Sequence, residues 1–513
     1  MFGLRLPWSK NNSMSRLKII SRKALLPVIL AVAGGLLILA TKAATANTRL
    51  NPADGKLTGN IAINASGSSS FVQFGSKNKL SCGRNVANYT YVRPFGPEAA
   101  WNIPACVLKK WSARSDDFVN RLANNAIRNN LGNYDNNGVR TPMTKLDFST
   151  EFGLTDSGSA GNDYSVPIYD AKDATQQVRV FLKTTYAGYN ANIGGNWIES
   201  PSYNWNATVP WNPSWRGAFG NDQGLVILDH TTGREIYLWN VSRADMPSPF
   251  NNVSECALDI ADLARGYNQN VDLCAAAATI AKKYDFTDAD YRTYEGNSPP
   301  ANGGGIQNYA GLVTPDEVSA GEIRHAIKFV ITNTMFGPAC SKTLDIGDPS
   351  IGTTCGTAFA PAGQFENNRI TDGKGGGSQF APGNTPDEIR SGTVPEGTRF
   401  ALNISDSEIN TWLDSRGYTG RKRETARIFA VAMRDYGLII TDTSGGGTSI
   451  QTSGGMNPTT SAKWRALGID NDGKDFLYKL FTKEKLYMLE PAINDCGDGT
   501  TSRYFCHAIK THY

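Results

Sequence analysis

Glu322 and His325 stand three residues apart in a chain that has only four histidines. On a helix that spacing puts both on one face, together with Val318 and Phe329. An acid and an imidazole on an otherwise apolar face can serve as an acid/base pair or as metal ligands in a cleft. The plainer use is a buried histidine satisfied by the neighbouring acid. Asp372, in Thr371-Asp372-Gly373 of a glycine-rich loop, and Glu396, in Pro395-Glu396-Gly397-Thr398-Arg399, add two more carboxyls, and Asp229 ends a strand. Carboxyls that converge to separations of roughly 5–10 Å can cleave glycosidic bonds. Glu322, His325, Asp372 and Glu396 are therefore the candidate catalytic residues.

Between Tyr186 and Trp239 the chain is dense in aromatic rings: Trp197, Trp205, Trp211, Trp215 and Trp239, with Tyr186, Tyr189, Tyr203 and Tyr237. The residues between them are mostly Asn, Gly, Ser and Pro. Flat faces among amides and hydroxyls suit sugar rings, whose C–H faces stack while their hydroxyls take directed hydrogen bonds. The same rings could instead pin long loops to a sheet. The five tryptophans and Arg399 are the candidate ligand contacts. Asp470-Asn471-Asp472-Gly473-Lys474-Asp475 faintly resembles a calcium loop, but no Glu stands at Phe481-Thr482, where the bidentate ligand would fall, so a turn is expected and no metal. The chain has no G-x-S-x-G, no H-E-x-x-H, no phosphate-binding glycine loop ending in Lys and no dinucleotide fingerprint. Common serine hydrolases, zinc proteases and nucleotide enzymes are disfavoured, and no cofactor is implied.

These residues need elements to hold them. Ser115 to Gly132 reads as a helix, with Asp116 and Asp117 at its start and Phe118, Leu122, Ala126 and Ile127 on its apolar face. Val178–Lys183 alternates like a strand. Leu225–Asp229 and Glu235–Asn240 form a hairpin pattern around His230–Arg234, where Gly233 can take positive φ. Cys256 to Lys283 reads as one or two short helices. Thr314-Pro315-Asp316-Glu317 is a capping box with Pro at the first position, and the periodicity predicts a helix from there to about Ile331. Thr398–Asn403 is a strand, Arg421–Tyr436 a helix closed by Gly437, Leu438–Asp442 a strand and Asp475–Leu489 a last helix. The alternation around Ile61-Ala62-Ile63 fits a tether or edge strand within 47–75.

Residues 1–46 hold seven Lys or Arg and no acid, an apolar run from Ala24 to Thr41, and the small-x-small signal Ala44-Thr45-Ala46. That is a signal peptide or an uncleaved N-terminal anchor, and both place the rest outside the cytoplasm. Seven of the 51 basic side chains and none of the 47 acidic ones lie there, so 44 basic and 47 acidic remain, a formal charge of −3. This gives no argument for nucleic acid. The eight cysteines follow one another in sequence-local pairs, Cys82 with Cys106, Cys256 with Cys274, Cys340 with Cys355 and Cys496 with Cys506. Export to an oxidising compartment makes four such disulfides the expectation.

Several stretches resemble, in consistent order, a broad family of exported bacterial proteins, mainly actinobacterial, with no settled function. They are Ala100-Trp101-Asn102-Ile103-Pro104, Tyr164-Ser-Val-Pro-Ile-Tyr169, Gly224-Leu-Val-Ile-Leu-Asp229, Ser319-Ala-Gly-Glu-Ile-Arg-His-Ala326, Thr371-Asp372-Gly373, Pro395-Glu-Gly-Thr-Arg-Phe400 and Asp435-Tyr436-Gly437. The resemblance implies a β-sandwich or jelly-roll with attached helices and assigns no catalytic residue. The combined expectation is a mixed, β-dominated fold, with residues 76–513 as one large domain bearing long loops. It would bind or cleave an extracellular polysaccharide or cell-wall glycan, or act as a non-catalytic surface or adhesion protein. Membrane contact is expected only through residues 24–41, if they are retained.

Overall fold

The computed structural model describes residues 62–66 and 69–73 and, further on, most of 95–126, 145–183, 208–280, 304–362, 385–443 and 448–494, with short strands at 293–295 and 508–512. The chain divides into two compact units, Met1–Lys79 and Leu80–Tyr513. In the first, Ala62–Ser66 pairs antiparallel with Ser69–Gln73, Ala62 opposite Gln73. The apolar run 24–41 and the signal at 44–46 lie outside the described residues.

The second unit is mixed α/β with sheets dominant, and no described sheet closes into a barrel. Its main sheet has six strands in the order Leu486–Met488, Arg399–Leu402, Leu438–Thr443, Ile327–Ile331, Ser449–Gln451 and Ser149–Glu151. Ile327–Ile331 and Arg399–Leu402 are buried along their whole length. That is why they read as apolar runs rather than as alternations. One face of this sheet, through Phe329, Ile331, Phe400, Leu438, Ile440 and Ile450, meets Phe118 and Leu122 of the Ser115–Ala126 helix and Phe429 and Met433 of the Gly420–Asp435 helix.

The other face shares an apolar cluster with a second sheet. That sheet runs Ala277–Ile280, Arg234–Trp239, Leu225–Asp229, Ile168–Asp170. Ala326 and Ile439 from the first side meet Val226 and Leu228 from the second, with Trp101 and Leu312 filling between. The second sheet turns Leu225, Ile227, Ile236 and Leu238 the opposite way, onto Val178, Val180 and Trp211 of a three-stranded sheet.

The hairpin expectation holds: Asp229 pairs with Arg234, and Gly233 sits at φ +66°. The Gly420–Asp435 helix runs into the Leu438–Thr443 strand through Gly437 at φ +87°. The Ser115–Ala126 helix starts where expected.

Three expectations fail. The capping box of Thr314 and Glu317 is present, but its helix covers only Pro315–Ser319. Gly321 at φ +99° breaks it, and Ile327–Ile331 is a strand. The β-branched run there gains more from pairing with Leu438–Thr443 than helix propensity offers. Residues 475–489 are turns and two short strands, because Leu486–Met488 pairs with Arg399–Leu402. After the short helices Ser254–Leu258 and Ile260–Ala264, the 256–283 segment becomes two strands. Among the strand pairs, Ile327–Ile331 with Leu438–Thr443, Ser449–Gln451 with Ser149–Glu151, and Ile168–Asp170 with Leu225–Asp229 are parallel.

Cys256–Cys274 and Cys340–Cys355 are disulfides, with Cα separations of 6.0 and 4.9 Å. Cys106 is also disulfide-bonded. Cys82, Cys496 and Cys506 lie outside the described residues. Cys274 belongs to the buried strand Leu273–Ala275, so the Cys256 bridge ties its helix to a core strand rather than closing a free loop. Replacing both Cys256 and Cys274 by Ala should lower unfolding free energy by about 2–4 kcal/mol in denaturant titration. Gly437 makes a sharper test. A Cβ there would lie 2.2 Å from the Phe400 carbonyl oxygen, on a backbone that L side chains resist. Gly437→Ala should cost on the order of 3 kcal/mol and lower Tm by several degrees.

Candidate functional site

The residues singled out in the sequence do not act together. With the helix ended at Ser319, Glu322 and His325 share no helical face. His325 is buried, its Nδ1 2.9 Å from the Ala326 carbonyl and its Nε2 3.0 Å from Glu317 Oε2. The same Glu317 accepts from the Thr314 backbone N–H in the capping box, so it ties the helix start to the strand entry. The acid beside His325 is therefore Glu317, not Glu322. Glu322 accepts from Arg324 Nε at 2.8 Å. Glu396 is buried and accepts from Thr334 Oγ1 at 3.1 Å. Asp229 holds its own hairpin turn, accepting from Thr231 N, Thr232 N and Thr232 Oγ1. Asp372 lies outside the described residues.

The aromatic platform is likewise taken apart. Trp211 and Trp215 are buried edge to face, ring centroids 5.7 Å apart, and Trp215 stacks on Tyr169. They serve the core under the sheet. Arg399 is buried and donates to the backbone carbonyls of Tyr436, Ala100 and Ile103, so its guanidinium holds chain together rather than a ligand. Trp197 and Trp205 lie outside the described residues. Trp239 alone of the five is described and half-buried.

Trp239 leads to a different group. It donates to the Asp222 carboxylate, and Asp222 interacts with Lys328 across the space between the two sheets. Lys328 is the one charged residue of the Ile327–Ile331 strand and is only 1% exposed. Its ammonium donates to Asn308 Oδ1 and feels Asp442, Glu235 and Asp222. Glu235 is 2% exposed and accepts from the backbone N–H groups of Asn308 and Tyr309.

Phe329 faces Ile450 and both turn to the main core. At Lys328 the neighbouring backbone is Gly311, whose carbonyl accepts from the Lys328 N–H, while Gln451 pairs with Glu151 on the next strand. Gln451 Nε2 donates to the Tyr164 carbonyl at 3.0 Å, and the Tyr164 hydroxyl feels both Asp222 and Glu151. Tyr164, Tyr237, Trp239 and Asp442 are half-buried. Asp222 is solvent-exposed by area, yet enough protein surrounds its carboxyl that desolvation raises its pKa. Lys328, Glu235 and Asn308 form a buried polar floor between the two sheets, and Asp222 stands at its exposed edge.

Burial sets the electrostatics of the floor. Desolvation pushes Glu235 up to about 7, against the pull of its backbone donors and of Lys328. Desolvation also brings Lys328 down to about 8, against three carboxylates. Both charged forms are costly here, so the floor is poised near neutrality. The strand reading of the sequence passed over these groups. The signal was a single Lys inside an apolar strand and a Glu at the start of another.

A recess of about 720 Å³ opens by the hairpin turn and is lined by Asp170, Lys172, Asp229, His230 and Arg234 among others. It mixes both charge signs and has no Trp or Tyr in its lining. Among the described residues no cluster of His, Cys, Asp or Glu could hold a metal ion, and no helix is long and apolar enough to cross a membrane. No family model, curated protein or solved structure matches the chain.

The shifts at the floor predict a stability profile. Glu235 titrates near 4.5 unfolded and about 7 folded, so between those values the fold holds the extra proton and stability falls as pH rises. Lys328 titrates near 10.5 unfolded and about 8 folded, so its burial penalty is present below 8 and is relieved as pH rises to 10.5. Each limb is on the order of 3 kcal/mol. In melts across this range, Glu235→Gln should flatten the acid limb and Lys328→Met the alkaline one. A profile unchanged by both substitutions would contradict the arrangement.

Proposed function

We propose that this chain is an exported protein that binds an extracellular glycan at the aromatic edge of the two facing sheets, beside Trp239 and Asp222, and we read the two sheets as a sandwich. One observation carries this: the half-buried Trp239 donates to Asp222 beside the half-buried Tyr164 and Tyr237. An aromatic face next to a carboxylate is the pairing a sugar ring uses, stacking its C–H face and donating its hydroxyls. The apolar run and signal of residues 1–46, the disulfides, and the resemblance to exported actinobacterial proteins support the location. If the bound glycan is also cleaved, Asp222 and Asp442 are the acids to consider. Asp222, with its raised pKa, would be the proton donor.

A second reading, a surface structural or adhesion protein without catalysis, is supported by how the sequence candidates are spent. Arg399, Asp229 and the Glu317–His325 pair all hold backbone or each other. A glycan array followed by calorimetry separates the readings. Trp239→Ala and Asp222→Asn should each weaken binding about tenfold or more while leaving Tm within a few degrees. Silence of the folded protein across the array favours the structural reading. Reducing-end release from wall polysaccharide, lost in Asp222→Asn, would make the binder an enzyme.

A further inference from the structure

The recess of about 720 Å³ beside the hairpin turn has the volume of a small-molecule site. Asp229 and Arg234 reach it from the hairpin sheet, and Asp170 and Lys172 stand at the turn that leads from that sheet to the three-stranded one. Both acids already hold donors of their own chain. Asp229 Oδ1 accepts from the Thr231 and Thr232 backbone N–H groups, and its Oδ2 from the Thr232 hydroxyl at 2.6 Å. Asp170 Oδ1 accepts from the Lys172 backbone N–H at 2.9 Å, and its Oδ2 takes the Lys172 ammonium at 2.7 Å. Each acid thus stiffens the turn that carries a cation. The cations keep donors in hand. The Lys172 side chain is 74% exposed, and an ammonium has two N–H groups beyond the one given to Asp170. Arg234, opposite Asp229 in the hairpin register, is exposed, and among the described residues its guanidinium has no hydrogen-bond acceptor. A recess whose acceptors are engaged and whose donors are not suits a ligand that brings acceptors, above all an oxyanion.

We propose that this recess binds a uronate, the carboxylated sugar unit of an acidic glycan. This rests on the glycan reading above and extends it to a second place, since Arg234 opens the Arg234–Trp239 strand and Trp239 ends it. The uronate carboxylate takes the Arg234 fork in two parallel bonds, with the Lys172 ammonium as a further donor. Thr208 and Thr231 also line the recess and offer hydroxyl groups to those of the ring. Ile236 is 5% exposed, and with Pro210 it gives the C–H face of the ring an apolar surface. Formal charge does not select the anion, because Lys172 and Arg234 balance Asp170 and Asp229. The selection lies in directed donors, so the ester of the same sugar is the discriminating competitor.

The test is calorimetry on the purified protein at low salt, with galacturonate trimer, its methyl ester and inorganic phosphate as probes. The trimer should bind at least about tenfold tighter than its ester, which keeps the rings and removes the charge. Arg234→Gln should remove most of that preference, Lys172→Gln should reduce it several-fold, and Lys172→Arg should keep it. Trp239→Ala should leave the preference in place. Arg234 and Lys172 are both exposed, so these variants probe the recess rather than the fold. Equal binding of acid and ester overturns the uronate assignment, and its loss in Trp239→Ala would show that the glycan reading still stands. Phosphate binding as tight as the trimer's makes the recess a general anion site and overturns the sugar. A preference that survives Arg234→Gln combined with Lys172→Gln arises elsewhere on the molecule and overturns the recess. Absence of trimer binding overturns the inference as well, and silence across every glycan overturns both readings.

Discussion

Putting one ammonium between two sheets constrains everything around it. Lys328 projects from a strand that is otherwise Ile, Phe, Val and Ile, into a layer whose other occupants include Val226, Leu228 and Ile439. An unpaired charge in such a layer would cost several kcal/mol. The fold answers with Asn308, Glu235, Asp222 and Asp442, drawn from four separate segments. Asn308 comes from the turn before the capping box, and its own backbone N–H goes to Glu235. The lysine, the turn and the second sheet are thus locked by one network, and loosening any member exposes the rest to desolvation.

Around this layer the polar residues fall into two uses. Some hold chain to chain. Arg399 gathers carbonyls from Tyr436, Ala100 and Ile103, which fixes the 100–103 segment against the start of its own strand. Glu317 closes the capping box and bonds His325, so a helix of five residues is stable where length alone would not make it so. Other groups have acceptor capacity left over, above all Gln451. The division is physical. A buried group whose bonds are all made can only be structural, while one with an unmet oxygen keeps a bond to offer.

The parallel pairs explain why the sheet positions its polar row. Ile327–Ile331 and Leu438–Thr443 run the same way, with the register slipping between Phe329 and Val330. That slip carries the register past Thr441, so that Val330 pairs with Asp442 close to Lys328. A uniform ladder would have paired Val330 with Thr441 instead.

Local signals determined local structure. The 225–239 hairpin, the Ser115 and Gly420 helices, the strand after Gly437 and the capping box at Thr314 all follow from residues within a few positions of one another. The pairing of Cys256 with Cys274 and of Cys340 with Cys355 followed from neighbouring positions too. What the sequence could not decide was where a local preference would yield. The segment after Ser319 has helical periodicity, but its β-branched residues found a parallel partner more than a hundred residues away. The 486–488 segment likewise became a strand only because Arg399–Leu402 offers an edge. The candidate site has the same cause. Its members come from residues 151, 164, 222, 235, 308, 328, 442 and 451, each ordinary in its own stretch. Only the stacking of two sheets brings the buried ones among them together, and desolvation, a property of the folded interior, gives Glu235 and Lys328 their altered acidity.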